Sequence, residues 1–376
     1  MSISFELTPE QKKWQKLARK FVENEASSRV VEIDETNEAP FDLLRKMAAP
    51  PYQFTAVPVS KEDGGLGLGI LMTCIINEEL AAVCPPLVLF MELVHIAPTI
   101  LSIAGEKWKK KFLPAIIRGE TCPAFALTEP DTGSDPSSLT TTAELVNDQW
   151  VLSGRKRFTS HASDGMYTVV MARTKVGISA FLVERGTPGF EVIEKIPTIG
   201  LGGHRDEEVL LKDCRIPKEN LIGEEGRGLR VALGALNEGR TSLCAGYIGV
   251  ARAALEAAVK RAKERKSFGQ TLAEHQAIRF PLAEVATDIE AARLLTYQAA
   301  WLIDNGQPHR KETSMAKHFA AQTVIKATDL AMKVYGGFGC TKREPVERYM
   351  RDARTWIYAQ GTPEMMKEIV ARSLFA

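Results

Sequence analysis

The chain has 376 residues, 45% of them hydrophobic and 25% charged, with a formal net charge of +1. A chain of this length can bury a large core without disulfides, and its balanced charge gives no electrostatic basis for binding nucleic acid or an anionic membrane. Its six cysteines, Cys74, Cys84, Cys122, Cys214, Cys244 and Cys340, form no CxxC pair and have no histidine at zinc spacing, so they read as reduced thiols and point to no metal.

The opening "MSISFELTPEQKK" carries no apolar stretch of a secretory signal and no Arg/Ser-rich transit character, so a cytoplasmic protein is expected. Thr8-Pro9-Glu10-Gln11 supplies a hydroxyl cap, a proline at the first helical position and a glutamine at the third, which predicts a helix start. Trp14, Leu17, Ala18 and Phe21 then recur on one helical face. "DGGLGLG" reads as a loop before a second helical run, and "LAAVCPPLVLFM" is too short to span a bilayer and is broken by Pro85-Pro86. Between about Thr121 and Gly223 the texture changes to strands. "DQWVLSGRKRFTS" reads as a hairpin-like pair, and "YTVVMART" and "ISAFLVER" are rich in strand formers. From Gly226 onward three long runs rich in Ala, Leu, Lys and Glu are helical again. The expected class is α+β, in three sequential modules: an all-α module over 1–120, a β-module over 121–225 and an α-helical module over 226–376.

Four stretches carry chemistry-bearing side chains. "LTEPDTGSD" is a turn-rich loop with small hydroxyls, "KRFTSHAS" puts Phe158 and Ser160 at a strand end, "RKSFGQTLAEHQ" offers Arg265, Phe268 and Gln276 at a helix break, and "YGGFG" is a glycine turn after a helix. An arginine there can take a phosphate, and a glycine turn lets backbone approach a ligand closely. Each alone reads equally well as a solvated loop or a helix cap.

Taken in order, and followed by "PVERYMRDAR" and Gly361-Thr362, these motifs resemble the acyl-CoA dehydrogenase family of FAD flavoenzymes over essentially the whole chain. The resemblance implies an N-terminal helical domain, a middle β-domain and a C-terminal four-helix domain, usually in a homotetramer with FAD partly across a subunit interface. It assigns FAD contacts to Phe125, Leu127, Thr128, Gly133 and Ser134, and to Phe158 and Ser160 beside the isoalloxazine. It adds Arg265, Ser267, Phe268, His275 and Gln276, then Lys333, Gly336 and Gly337, and finally Thr362 and Glu364. The family usually has Gln where Lys333 stands. Ser134, Asn237, Arg240 and Gly361 resemble acyl-CoA contacts, and an electron-transferring flavoprotein is the family's usual acceptor.

The implied reaction removes the α-proton of a thioester by a carboxylate while the β-hydride moves to flavin N5. Most of the family places the catalytic Glu just before this Gly-Thr, where this chain has Gln360, and an amide cannot take up a proton near neutral pH. Its backbone N–H is still able to polarise the thioester carbonyl. A minority places the acid on the helix carrying "NEGR", at the position of Gly239; Glu238 is adjacent but about 100° round the helix. A third candidate is Glu92 in "LFMELVHIAPTIL", an acid within an apolar run in the region that the resemblance puts near the acyl chain. Relatives acting on cyclohexane- or cyclohexene-carboxyl-CoA use an acid from this region. His95 is a weaker candidate. The leading expectation is an acyl-CoA dehydrogenase with a relocated acid and a cyclic or bulky substrate. An enoyl-CoA reductase or a flavoenzyme on a non-CoA substrate, and a non-catalytic FAD-binding subunit of a hetero-oligomer, remain open.

Overall fold

A computed structural model describes residues 6–375. Helix α1 (Pro9–Phe21) starts at a complete capping box: Thr8 Oγ1 accepts from Gln11 N, and the Gln11 side chain accepts from Thr8 N. Short helices α2 (Val30–Thr36) and α3 (Phe41–Ala48) follow, then the long helices α4 (Gly69–Ala81), α5 (Pro86–Ala104) and α6 (Glu106–Ile117). Helix α5 is buried along almost its whole length. The apolar run does not stop at the proline pair but continues to Ala104. By length and composition α5 and α7 (Gly228–Glu264) would reach across a bilayer, yet both are mostly buried inside the protein, where an all-round apolar helix belongs.

Eight strands form the middle sheet: β1 (Ala124–Ala126), β2 (Thr142–Val146), β3 (Gln149–Ser160), β4 (Tyr167–Arg173), β5 (Ile178–Glu184), β6 (Phe190–Ile196), β7 (Asp206–Pro217) and β8 (Leu221–Ile222). Their order is β6-β7-β3-β2-β4-β5-β8, with β1 parallel to β4. The stretch expected to fold as a hairpin is instead the single 12-residue strand β3, and its hairpin partner is β2. Gly154 marks no turn. It sits at φ +152 where the pairing with β7 slips by a residue, and a Cβ there would strike Thr141.

After α7 comes the small hairpin β9 (Lys266–Ser267) and β10 (Gln270–Thr271), then α8 (Gln276–Asp304), α9 (Arg310–Tyr335), α10 (Pro345–Trp356) and α11 (Pro363–Leu374). The first helical module is tied to the last by buried charge. Glu78 and Glu79 on α4 pair with Arg252 of α7, with Arg293 of α8 and with Arg19 of α1. Asp304 accepts from Ile70 N at 2.6 Å and Leu71 N at 3.0 Å, so the end of α8 caps the start of α4. Gly246 and Gly249 let α7 approach closely: a Cβ at the first would collide with Trp356 and at the second with the backbone of Glu78.

Candidate active site

The middle of α5, one end of the sheet, α7, α9 and the turn between α10 and α11 converge on Glu92. It is only 8% exposed, in the middle of its helix rather than at an end. Gln360 Nε2 donates to Glu92 Oε1. Glu92 Oε2 and Gln360 Oε1 are buried with no protein partner. Burial pushes the Glu92 carboxyl up to about 7, although Gln360, His204 and Lys317 all favour its charged form. An acid with one oxygen pinned, the other free and a proton affinity near neutrality is equipped to accept a proton.

The turn carrying Gln360 is clamped at three successive carbonyls. Lys317 Nζ, on α9 and fully buried, donates to Ala359 O at 2.5 Å and to Gly361 O. Arg240 Nε donates to Gln360 O at 2.8 Å, and its Nη1 to Asn237 Oδ1 at 2.6 Å. Gln360 itself is left-handed, at φ 55, and its N–H donates to no protein acceptor among the described residues. Gly239 faces this amide: a Cβ there would lie 2.8 Å from Gln360 Nε2. The glycine therefore leaves the space that the glutamine side chain occupies.

Glu238 lies elsewhere. It is half-buried and its Oε2 accepts from Thr99 Oγ1 at 3.0 Å, which ties α7 to the end of α5. His95 is buried one turn after Glu92, both ring nitrogens are unpartnered, and burial pushes its proton affinity down to about 3. It is therefore neutral at physiological pH and unsuited to carry charge.

On the sheet side, Ser160 at the end of β3 pairs with Asp206 at the start of β7. Ser160 Oγ lies 3.1 Å from His204 Nε2. Phe158, at φ 55, is 52% exposed beside it. Phe125, Leu127 and Thr128 are half-buried on β1 and the loop after it, with Thr128 O accepting from Arg157 N; Gly133 and Ser134 are exposed further along. Glu129 braces this loop. It accepts from Lys156 Nζ at 2.8 Å, from Thr140 N at 2.6 Å and from Thr141 N at 2.9 Å, and despite burial these donors hold its carboxyl down to about 2.

The remaining cofactor candidates divide. Thr362 Oγ1 accepts from Met365 N and caps α11, with Glu364 exposed in its first turn. Arg265, Ser267, Lys333, Gly336 and Gly337 line a separate cleft of about 500 Å³, together with Arg261 and Phe338. Gly336 and Gly337 open onto free space there. Phe268 is 96% exposed and Gln276 is exposed, while His275 braces the hairpin through Ser267 O and Gln270. Lys333 Nζ is engaged by Asp329 at 2.6 Å. Arg240 and the end of α7 are separated by 24 residues, roughly 36 Å of helix, so one chain does not bring this cleft to Glu92. Cationic side chains, open glycines and exposed aromatic rings fit a cofactor with a phosphate and a planar ring.

Sequence reasoning missed Lys317, His204 and Asp206. Lys317 sits in an unremarkable helical run and only the packing of α9 reveals it. "GLGGHRD" did show polar side chains beside paired glycines, a signal that a closer reading of that turn would have caught.

Family models match along the chain in three pieces: the acyl-CoA dehydrogenase N-terminal domain over 8–120, the middle domain over 124–214 and the C-terminal domain over 226–375. An acyl-CoA dehydrogenase of Bacillus subtilis is 37% identical over 375 residues, 98% of each chain. An acryloyl-CoA reductase (NADH) of Anaerotignum propionicum is 37% identical over 380 residues, 99% of this chain and 96% of that one. The solved butyryl-CoA dehydrogenase of Megasphaera elsdenii superposes with a TM-score of 0.94 at 32% identity, covering 100% of both chains.

Proposed function

This chain belongs to the acyl-CoA dehydrogenase family, and from that premise we propose that it oxidises a cyclic or otherwise bulky acyl-CoA with Glu92, rather than residue 360, as the base. It is an FAD-dependent oxidoreductase acting on CH–CH bonds of an acyl-CoA. The observation that carries the proposal is the buried Glu92 carboxyl, one oxygen on Gln360 and the other free.

Bound FAD supplies the acceptor for the hydride that leaves the β-carbon. Phe158, Ser160 and the loop from Phe125 to Ser134 would hold its ring side, with Thr362 and Glu364 near the turn. The N–H of Gln360, fixed by the Lys317 and Arg240 clamps, points its dipole at the thioester carbonyl and stabilises the enolate-like charge. Glu92 Oε2 takes the α-proton, and Gln360 Nε2 holds the carboxylate in place through Oε1. Asn237 and Arg240 belong to the acyl-CoA side. A base on α5, the helix that the family resemblance sets along the acyl chain, suits a substrate with ring carbons beyond Cα.

We further propose a homotetramer in which the Arg265–Lys333 cleft of one subunit receives the FAD held by a neighbour's middle domain. An electron-transferring flavoprotein would be the acceptor. The roughly 36 Å of α7 between the two groups supports a second subunit. A yellow homotetramer from expression of this chain alone that oxidises a thioester would reject the non-catalytic-subunit reading.

Reduction of an enoyl-CoA is the second reading. It is favoured by the similarity to the acryloyl-CoA reductase and by a carboxyl near 7, which can give a proton as well as take one. The deciding experiment is anaerobic mixing of the holoenzyme with cyclohexanecarboxyl-CoA and butyryl-CoA, for wild type and Glu92→Gln. Bleaching of the flavin in wild type and its loss in the variant are expected. Undiminished bleaching in Glu92→Gln would remove Glu92 as the base.

A further inference from the structure

Strand β3 breaks step just before it ends. Lys156 pairs with Val209 of β7 and Thr159 with Glu207, so Arg157 and Phe158 together face the single residue Glu208. That is a β-bulge. Regular alternation would put Phe158 on the same inward face as Lys156. The extra residue turns it out instead: Lys156 and Thr159 are fully buried and Phe158 is 52% exposed. Phe158 takes the left-handed backbone, φ 55, a conformation that a bulky residue holds only where its surroundings impose it.

A buried ion pair lies at the start of this bulge. Lys156 Nζ donates to Glu129 Oε1 at 2.8 Å and to Leu127 O at 3.2 Å. The next residue, Arg157, donates its backbone N–H to Thr128 O at 2.8 Å. Leu127, Thr128 and Glu129 are thus tied to the two residues that precede Phe158. The loop is anchored from its other side as well, since Glu129 also accepts from Thr140 N, Thr140 Oγ1 and Thr141 N. Across the bulge, Glu208, whose side chain is 2% exposed, takes Arg155 and, at 3.4 Å, Arg157. A fully buried ion pair contributes little net stability, because desolvation offsets its attraction. Its effect here is to fix one backbone segment against another.

We propose that Lys156 and Glu129 are positioning residues for the flavin: the pair locks the bulge that presents Phe158 to the loop that carries Leu127 and Thr128, so that the two segments meet FAD as one rigid surface. The proposal rests on the reading that these segments hold the ring side of FAD. Neither charged group reaches the cofactor itself, because both are buried beneath the surface that they shape. Without the pair, the loop keeps its anchor at Thr140 and Thr141 but loses its side-chain tie to β3, and the bulge keeps only the Arg157–Thr128 backbone bond on that side.

The test compares holoenzyme of wild type, Lys156→Met/Glu129→Gln and Phe158→Leu, and needs no substrate. Lys156→Met alone strands a buried carboxylate and is expected to fold poorly. The double variant removes both charges, and its amide oxygen can still accept from Thr140 N or Thr141 N. Ultrafiltration at a series of dilutions gives the FAD dissociation constant, and visible absorption reports the surroundings of the bound ring. In the double variant the dissociation constant is expected to rise about tenfold, the equivalent of one hydrogen bond to a charged group, and the long-wavelength flavin band to move toward that of free FAD. A pair with a merely structural role would shift the unfolding midpoint and leave both readouts of the folded protein as they are. An unchanged dissociation constant or an unchanged band therefore overturns the proposal. Phe158→Leu, with the pair intact, is expected to move the same band. No movement there removes the flavin placement, and the proposal with it. Movement there with none in the double variant leaves the placement standing and overturns the role of the pair.

Discussion

Gln360 and Glu92 are 268 residues apart in the chain, yet the amide of one donates to the carboxylate of the other inside the protein. In the proposed mechanism the amide at residue 360 is thus a working part of the site. It orients the acid on α5 and leaves that acid's second oxygen unengaged. Exchanging the two side-chain types tests this. Glu92→Gln is expected to lower kcat/KM by about 10²- to 10⁴-fold, the usual contribution of a general base. Gln360→Glu places two carboxyls in contact, so one holds a proton and the pair titrates at raised pH. Steady-state kinetics with both thioesters across pH 5–9 would show a loss in the first and an alkaline displacement in the second.

The pH dependence follows from burial of Glu92. Its carboxyl must be ionised to take a proton, so kcat/KM is expected to rise with pH through about 7. Stability runs the other way. The folded protein holds this proton up to about 7 and the unfolded chain releases it near 4.5. The unfolded state therefore binds fewer protons between those values, and stability falls as pH rises across the window, by about 3 kcal/mol. Glu92→Gln removes that term, so its denaturation midpoint is expected to exceed that of wild type at pH 8 and to approach it at pH 5.

Lys317→Met strips the donor from two part-buried carbonyls of the turn. Leaving them unsatisfied costs about 1–3 kcal/mol each, partly offset by removing a buried ammonium. The expected result is a lower melting temperature together with a fall in kcat larger than any change in KM, because the N–H of Gln360 is no longer aimed. An unchanged kcat would show that the turn keeps its shape without the clamp.

Gly239→Ala adds one carbon 2.8 Å from Gln360 Nε2 and 3.3 Å from Ile96 Cγ2. The long amide can move away, and helix propensity gains about 1 kcal/mol, so stability is expected to change little. Glu92 loses its donor, however, and a carboxylate without that hydrogen bond titrates higher. The kcat/KM profile should move to higher pH while the thermal midpoint stays near that of wild type. A profile that does not move would show that Gln360 keeps its hold on Glu92.

Gly246→Ala tests the close approach of α7 and α10. A Cβ at residue 246 collides with the ring of Trp356, which is fully buried. Overpacking of this kind costs about 1–3 kcal/mol. Chemical denaturation should show that loss, with flavin-site chemistry preserved in the fraction that folds.

Local patterns made much of the architecture legible. The capping box at Thr8, the helical periodicity after it, and the change to strand formers near Thr121 are short-range signals, and the matching elements stand in the structure. Glu92 stood out for a similar reason: a carboxylate within an apolar run has to be explained by something. The reading failed where a local cue had a long-range meaning. The stretch "DQWVLSGRKRFTS", expected as a hairpin-like pair, is one strand in which Gly154 accommodates Thr141 and a slipped pairing. The residues of "PVERYMRDAR" read only as part of the family motif, yet Arg351 binds Asp34 at 2.7 Å and Asp352 holds Leu201, fixing the turn before β7.

Sequence alone therefore determined the order of the modules, the family resemblance, and the presence of an amide at residue 360 with an acid at residue 92, because these depend on residue type and short spacing. Only the tertiary structure decided that the two side chains meet, that Lys317 and Arg240 grip the turn between α10 and α11, and that Ser160, His204 and Asp206 form one hydrogen-bonded array. These contacts join segments more than forty residues apart. The free energy that selects them is that of burying polar groups with suitable partners, a quantity that exists only once the helices and the sheet have packed together.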